Sequence, residues 1–225
     1  MELASLQNGE LEIIGRITDA SNATLLAQIA EHRVVYKPIA GERPLWDFPD
    51  GNLAQREFAA FLVSDFLGFD VVPNTVLRDG PYGIGMVQEW IDPNETIDVV
   101  EFAQTQSKKI RQMALFDALI NNGDRKFGHI LPVSEDIVYG CDHGVTFNRE
   151  NKLRTVLWQW AGREFDANEI AAIELFIQKF DSNQFSDLLT SEEIEATLKR
   201  AEDLLIGQLF PEPSPDWPAI PWPPF

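Results

Sequence analysis

Basic residues are scarce. The chain carries 18 Lys and Arg against 36 Asp and Glu, a formal charge of −18 over 225 residues. A chain this acidic repels polyphosphates at long range, which argues against nucleic acid and anionic membrane surfaces as main partners. Cysteine is nearly absent, and the single Cys141 cannot close an internal disulfide. No stretch approaches the roughly 18 to 20 apolar residues that a membrane helix needs. The opening MELASLQNGELEIIG also lacks the basic-then-apolar order of a secretory signal. These absences predict a cytoplasmic chain with no stable membrane association. What is present is ordinary globular composition, 44% hydrophobic and 24% charged, in a chain long enough to bury a core.

Short β-prone runs crowd the first third: LEIIGRI from Leu11, TLLAQI from Thr24 and RVVYK from Arg33. The turn-rich GERPLWDFPDGN follows, broken by Pro44 and Pro49. AQREFAAFLVSDFLG then reads as a helix, with Phe58, Phe61, Leu62 and Phe66 at helical spacing and Gly68 placed to end it. Two more strands are predicted at Val71 to Leu77 and Ile84 to Ile91. Beyond Asp92 the pattern becomes helical, beginning with Ser107 to Asn121, and two later helices carry capping signatures at Asp166/Glu169 and Thr190/Glu193. Seven of the last 15 residues are proline, so this tail can be neither helix nor central strand. It is either a partner motif or a strap across its own domain. The plan is α+β: a strand-rich first half, then a helical second half.

The chemistry concentrates in NNGDRKFGHIL, from Asn121, and CDHG, from Cys141. Asp124 and Asp142 each sit in a short loop beside a β-like run, with His129 between them. Moving a phosphoryl group from ATP needs a carboxylate to orient or deprotonate the acceptor hydroxyl. It needs a second carboxylate and another ligand to hold a divalent metal against the phosphates. Upstream, Lys37 lies in a predicted strand and Glu57 in the following helix, a pairing that can neutralise phosphate charge. Asp117 falls on the apolar stripe of its helix, where an unpaired carboxylate is costly, so it is expected to bond the NNGDR loop and orient Arg125.

These segments resemble the atypical branch of the kinase superfamily, which includes phosphatidylinositol 3- and 4-kinases and HipA-like kinases. Gly123 to His129 stands where those families have a GDRHxxN-type loop, and Asp142-His143-Gly144 where they have Asp-x-Gly. The set ASNATLL, VYKP, REFAAFLVS, NNGDRKFGHIL, DHGVTF and LRTVLWQWAG is most similar to small actinobacterial phosphatidylinositol-kinase-like proteins. The resemblance implies a reduced bilobal kinase-like fold, with a β-rich N-lobe to residue 91, a helical C-lobe over 92–210 and a tail over 211–225. It implies a transferase that binds ATP with Mg or Mn and acts on a soluble acceptor, with Asp124 catalytic and Asp142 and His129 at the metal. Lys37, paired with Glu57, would meet the α- and β-phosphates, and Gln88, Glu89 and Trp90 would form the hinge against adenine. Ser21 and Asn22 would stand in the phosphate-covering turn. That turn has no glycine, and His129 replaces the usual asparagine, which keeps a nucleotide-binding pseudokinase or an AMP-transferring enzyme open as alternatives.

Overall fold

The computed structural model describes residues 1–17, 22–43, 45–180 and 182–225. Helix α1 (Leu3–Asn8) leads into strands β1 (Glu12–Arg16), β2 (Leu25–Ile29) and β3 (His32–Pro38), then α2 (Leu53–Phe66), β4 (Thr75–Gly80) and β5 (Gly83–Glu89). All neighbouring strands are antiparallel, in the order β1-β2-β3-β5-β4. After β5 come α3 (Val99–Ala103), α4 (Lys108–Ile120), the hairpin β6 (Ile130–Pro132) with β7 (Val138–Gly140), α5 (Ala167–Lys179), α6 (Ser182–Phe185) and α7 (Ser191–Gly207).

Period-two alternation sets the faces of β3. Val34 and Tyr36 are buried with Leu6, Val76 and Val87, so α1 covers that side of the sheet. Lys37, one residue on, points to the opposite face, where α2 lies. Asn52 caps α2, its side chain accepting from the Gln55 amide at 2.8 Å. The Glu42 carboxylate accepts from the Leu53 and Ala54 amides, both at 2.8 Å, placing a negative charge where the helix dipole favours one. Gly68, at φ +62°, lets the chain leave the helix in the left-handed conformation, as its position predicts.

The larger core gathers Phe61 and Val63 of α2 with Phe116 and Leu119 of α4, Phe176 of α5 and Ile194 and Ala201 of α7. Both predicted capping boxes are present, at Asp166 with Glu169 and at Thr190 with Glu193. Four elements differ from expectation, α3 and α6 being, like α1, too short to show a helical period. The strand expected from Val71 begins at Thr75, because Pro73 has no amide to donate and the Val71 and Val72 amides turn instead to Ser64 Oγ at 3.0 and 3.2 Å. Helix α1 escapes sequence reading because six residues are too few to show a helical period.

The proline-rich segment takes no helix or strand and straps the helical half. Thr155 N and Trp158 Nε1 donate to the Ala219 carbonyl at 3.0 and 2.9 Å, and Phe127 N donates to Pro224 O at 2.9 Å. Arg154 donates through Nε to the Pro218 carbonyl at 3.2 Å. Lys152 sits between the Trp46 and Trp217 rings, 4.8 and 4.3 Å from their centroids. The strap leaves Trp222 exposed.

Candidate active site

Lys37 Nζ lies 2.5 Å from Glu57 Oε1 and 2.8 Å from Asp142 Oδ1. Residues 37, 57 and 142, far apart in sequence, therefore meet at one ammonium. Glu57 is buried, and its second oxygen accepts from the His143 amide at 3.3 Å. Asp142 is different: 53% of its side chain is exposed, so the cluster opens to solvent on that side. Burial works against the charged Lys37, but the Asp142 and Glu57 carboxylates overcome it and hold Lys37 above the ordinary lysine value. The same ammonium holds Asp142 far below the usual carboxylate range, while burial lifts Glu57. Asp142 also adopts φ +61°, an uncommon conformation that aspartate tolerates better than most residues.

Asp124 follows α4 closely. The helix ends at Asn121 in the left-handed conformation (φ 53°), and Asn122 Oδ1 then accepts from the Asp124 amide at 3.0 Å. Lys126 Nζ stands 3.2 Å from Asp124 Oδ2. Sequence reasoning missed Lys126, although its place two residues after Asp124 in an extended turn is a signal that could have found it.

His129 joins the two loops. Its Nδ1 is 2.8 Å from the Asp124 carbonyl oxygen, and its Nε2 is 3.5 Å from Asp142 Oδ2. A carbonyl only accepts, so Nδ1 carries the ring proton in the neutral imidazole. Burial pushes His129 below its ordinary value and favours that neutral form. The Nε2 lone pair then faces a carboxylate oxygen with no proton between them. Two acceptors turned on one another form the arrangement that a cation relieves, and metal-binding histidines commonly donate their other N–H to a carbonyl. Among the described residues no group of three or more His, Cys, Asp or Glu side chains could hold a metal ion. The residues present thus fit an ion that completes its shell with phosphate and water, not one caged by protein.

Beneath this open cluster lies a closed one. Arg125 is fully buried and grips Asp117 through Nε and Nη2, at 2.9 and 2.8 Å. Nη1 reaches the carbonyls of His129 and Cys141 at 3.3 and 3.4 Å, and Nη2 meets His143 Nε2 at 2.7 Å. The expected bond from Asp117 to the NNGDR loop is present, and Asn122 Nδ2 adds a third donor at 2.9 Å. One guanidinium therefore fixes the backbone on both sides, beside His129 and beside Asp142. Burial also drives the Cys141 thiol up to about 12, which leaves it unreactive.

The remaining predicted residues stand apart from this cluster in their bonding. Ser21 lies outside the described residues. Asn22 Oδ1 accepts from the Arg43 amide at 2.9 Å. Gln88 is buried and donates to Thr75 Oγ1 at 2.9 Å, while Glu89 Oε1 meets the Met1 ammonium at 2.6 Å. The amides of Glu89 and Trp90 already donate to the carbonyls of Asn74 and Arg33, at 2.9 and 3.1 Å.

Protein Rv2133c of Mycobacterium tuberculosis is 40% identical over 266 residues, an alignment that takes in 100% of this chain and 95% of that protein. The chain belongs to the same family as Rv2133c. No family model matches it. Among solved structures, the Golgi casein kinase matches at a TM-score of 0.57 and 15% identity, covering 91% of this chain and 72% of that one. The same kinase with Mn/ADP bound matches at 0.62 and 15% identity, covering 91% and 74%. At that identity the likeness is one of fold. The chain thus has an α+β, reduced bilobal kinase-like fold with a β-rich N-lobe and a helical C-lobe. No helix among the described residues is long and apolar enough to cross a membrane.

Proposed function

We propose that this protein is an ATP- and divalent-metal-dependent phosphotransferase of the atypical kinase type, acting on a soluble acceptor. The observation that carries the reading is Lys37 Nζ held between the buried Glu57 and the open Asp142. A cation fixed by a buried partner, beside a carboxylate kept ionised and facing solvent, is what binding the phosphates of a nucleotide–metal complex demands. Lys37 would neutralise the α- and β-phosphates, with Glu57 preventing it from swinging away. A divalent ion on Asp142 and His129 would supply charge neutralisation at the phosphates. Asp124 would take the proton of the acceptor hydroxyl as that oxygen bonds to the γ-phosphorus and ADP departs with the bonding pair. Lys126, against Asp124, is placed to balance charge on the group in transit. Imidazole at position 129 favours Mn²⁺ over Mg²⁺.

The wider reading includes lobes divided near residues 91 and 210 and the phosphatidylinositol-kinase-like ancestry implied by the DRKFGH and DHG segments. A charge of −18 speaks for a soluble acceptor in preference to an anionic lipid. Nucleotide binding without transfer is the second reading, favoured by the contact of Asp124 with Lys126 in place of an open carboxylate.

Radiolabel transfer and thermal shift test the proposal together. ATP with Mn²⁺ is expected to raise the melting temperature, and γ-label is expected to pass to an acceptor or to water in a reaction abolished by Asp124→Ala. A shift without any transfer selects the second reading. Transfer of α-label instead indicates AMP transfer. No shift with any nucleotide and metal overturns the proposal.

A further inference from the structure

A cavity of about 330 Å³ lies in the helical half, and none of Lys37, Asp124 and Asp142 lines it. It is bounded by α4, α7, the turn at 149–153 and the start of the proline-rich segment. Its wall includes Arg200, which is only 8% exposed. Arg200 donates through Nε to Asn151 Oδ1 at 3.0 Å and through Nη2 to the Asn148 carbonyl at 2.9 Å, with Nη1 3.5 Å from the Leu119 carbonyl. All three acceptors are neutral.

The other deeply buried guanidiniums are paired. Arg56 meets Glu193 at 2.7 Å and Arg125 meets Asp117 at 2.8 Å. Among the described residues Arg200 has no carboxylate within ion-pair distance, in a chain with twice as many acids as bases. Burial alone acts on it, drawing its pKa down to about 10. Bonding the end of α4 and the turn after Asn148 explains why a donor stands there. Neutral carbonyls satisfy N–H groups without cancelling a buried charge.

The rest of the cavity points the same way. Arg149 and Lys199 add two more cations, although Lys199 Nζ already meets both oxygens of the exposed Asp203 at 3.2 Å. Leu153, Leu204 and Pro211 give an apolar surface. Asp203 and Glu212 also line it, and they accept from hydroxyl or amino donors but repel a second anion. Such a volume falls at the lower end of the roughly 300 to 1,000 Å³ typical of small-molecule sites and exceeds what a bare phosphate needs.

We propose that this cavity binds a small phosphorylated molecule with a hydroxyl-bearing body. The phosphoryl group faces Arg200, Arg149 and Lys199, and the hydroxyls face Asp203 and Glu212. The site stands apart from the phosphotransferase reading and survives its failure.

The test is the melting temperature of the full chain at fixed ionic strength in a chloride buffer, titrated with glucose 6-phosphate, inorganic phosphate or glucose. A saturable rise is expected with glucose 6-phosphate, a weaker one with phosphate and none with glucose. The pair Arg149→Ala with Lys199→Ala changes only exposed side chains, so it is expected to keep the unliganded melting temperature and to weaken affinity about tenfold or more. Arg200→Gln keeps a donor for the carbonyls and is expected to abolish the rise. Lys37→Met is expected to retain it. Absence of a saturable rise in the native chain overturns the site, as does a rise that persists in both Arg variants. A rise lost in Lys37→Met would move the phosphate to the nucleotide cleft and overturn the proposal equally.

Discussion

Two ionic clusters lie back to back in this protein, and they are built on opposite principles. Asp117, Arg125 and His143 are wholly buried, and two carboxylate oxygens, two carbonyls and an imidazole nitrogen surround one guanidinium. Lys37, Asp142 and His129 are partly open, with a carboxylate half exposed and a histidine lone pair facing an oxygen. The first arrangement leaves little to add and serves rigidity. The second is short of a cation, and in the proposed function it serves binding. Arg125 connects them, since the carbonyls it holds belong to the residues that position His129 and Asp142.

The sharpest way to break the comparison is to remove the hub. Arg125→Met leaves Asp117 at 0% exposure without its cation, and loss of one partner of such a buried pair costs about 3 to 5 kcal/mol. Chemical denaturation should show that loss, and a change below about 1 kcal/mol would mean that the buried cluster is not structural. Gly140→Ala probes the same hub gently. A Cβ there would stand 2.9 Å from Arg125 Nη1 and 3.1 Å from Nη2, and the guanidinium has no free direction in which to retreat. Overpacking of this kind costs about 1 to 3 kcal/mol, read as a lower denaturation midpoint with an unchanged slope.

Much of the open cluster was legible in the chain. Lys37 and Glu57 fall on a strand and the next helix because period-two and helical patterns with clear stops delimit those elements. Asp117 was legible as a bonding residue because a carboxylate on an apolar helical stripe must find a donor. His143 as a partner of Arg125 was not legible. The two are 18 residues apart, and only the folded course of the β6–β7 hairpin brings them within 2.7 Å. The carbonyl partners of Arg154 were hidden for the same reason, lying 64 and 66 residues away on the strap. Local pattern reveals which face a residue occupies. It does not reveal which distant backbone arrives there.

Acid pH is expected to weaken both clusters, through a histidine in each. His143 is fully buried, and desolvation, reinforced by Arg125, holds it well below the ordinary value of 6.5. Burial lowers His129 too. Below about pH 6.5 the unfolded chain therefore takes up protons that the folded chain refuses, so stability is full above that pH and falls beneath it. Each such group contributes up to about 1.4 kcal/mol per pH unit. Urea midpoints measured from pH 7 to 5 should decline, and His143→Phe should flatten the decline. Asp142, held low by Lys37, adds its share only when the pH drops past the ordinary carboxylate value of 3.8.

Asp142→Asn is expected to have the smallest effect on stability and the greatest consequence for binding. Asparagine tolerates the left-handed backbone at φ +61° as aspartate does, so the main chain is not strained. The lost contact joins Lys37 to a carboxylate that is 53% exposed, where an ion pair is worth about 1 kcal/mol or less. Lys37 keeps Glu57 as its buried partner. Removing the charge that faces His129 Nε2 nevertheless takes away one of the two acceptors that a cation would bridge. The variant should therefore unfold within about 1 kcal/mol of the native chain while losing its thermal response to Mn²⁺ with ATP. A retained response would separate metal binding from the Lys37 cluster. A large loss of stability would mean that Asp142 belongs with the buried hub, and the division between the two clusters would fail.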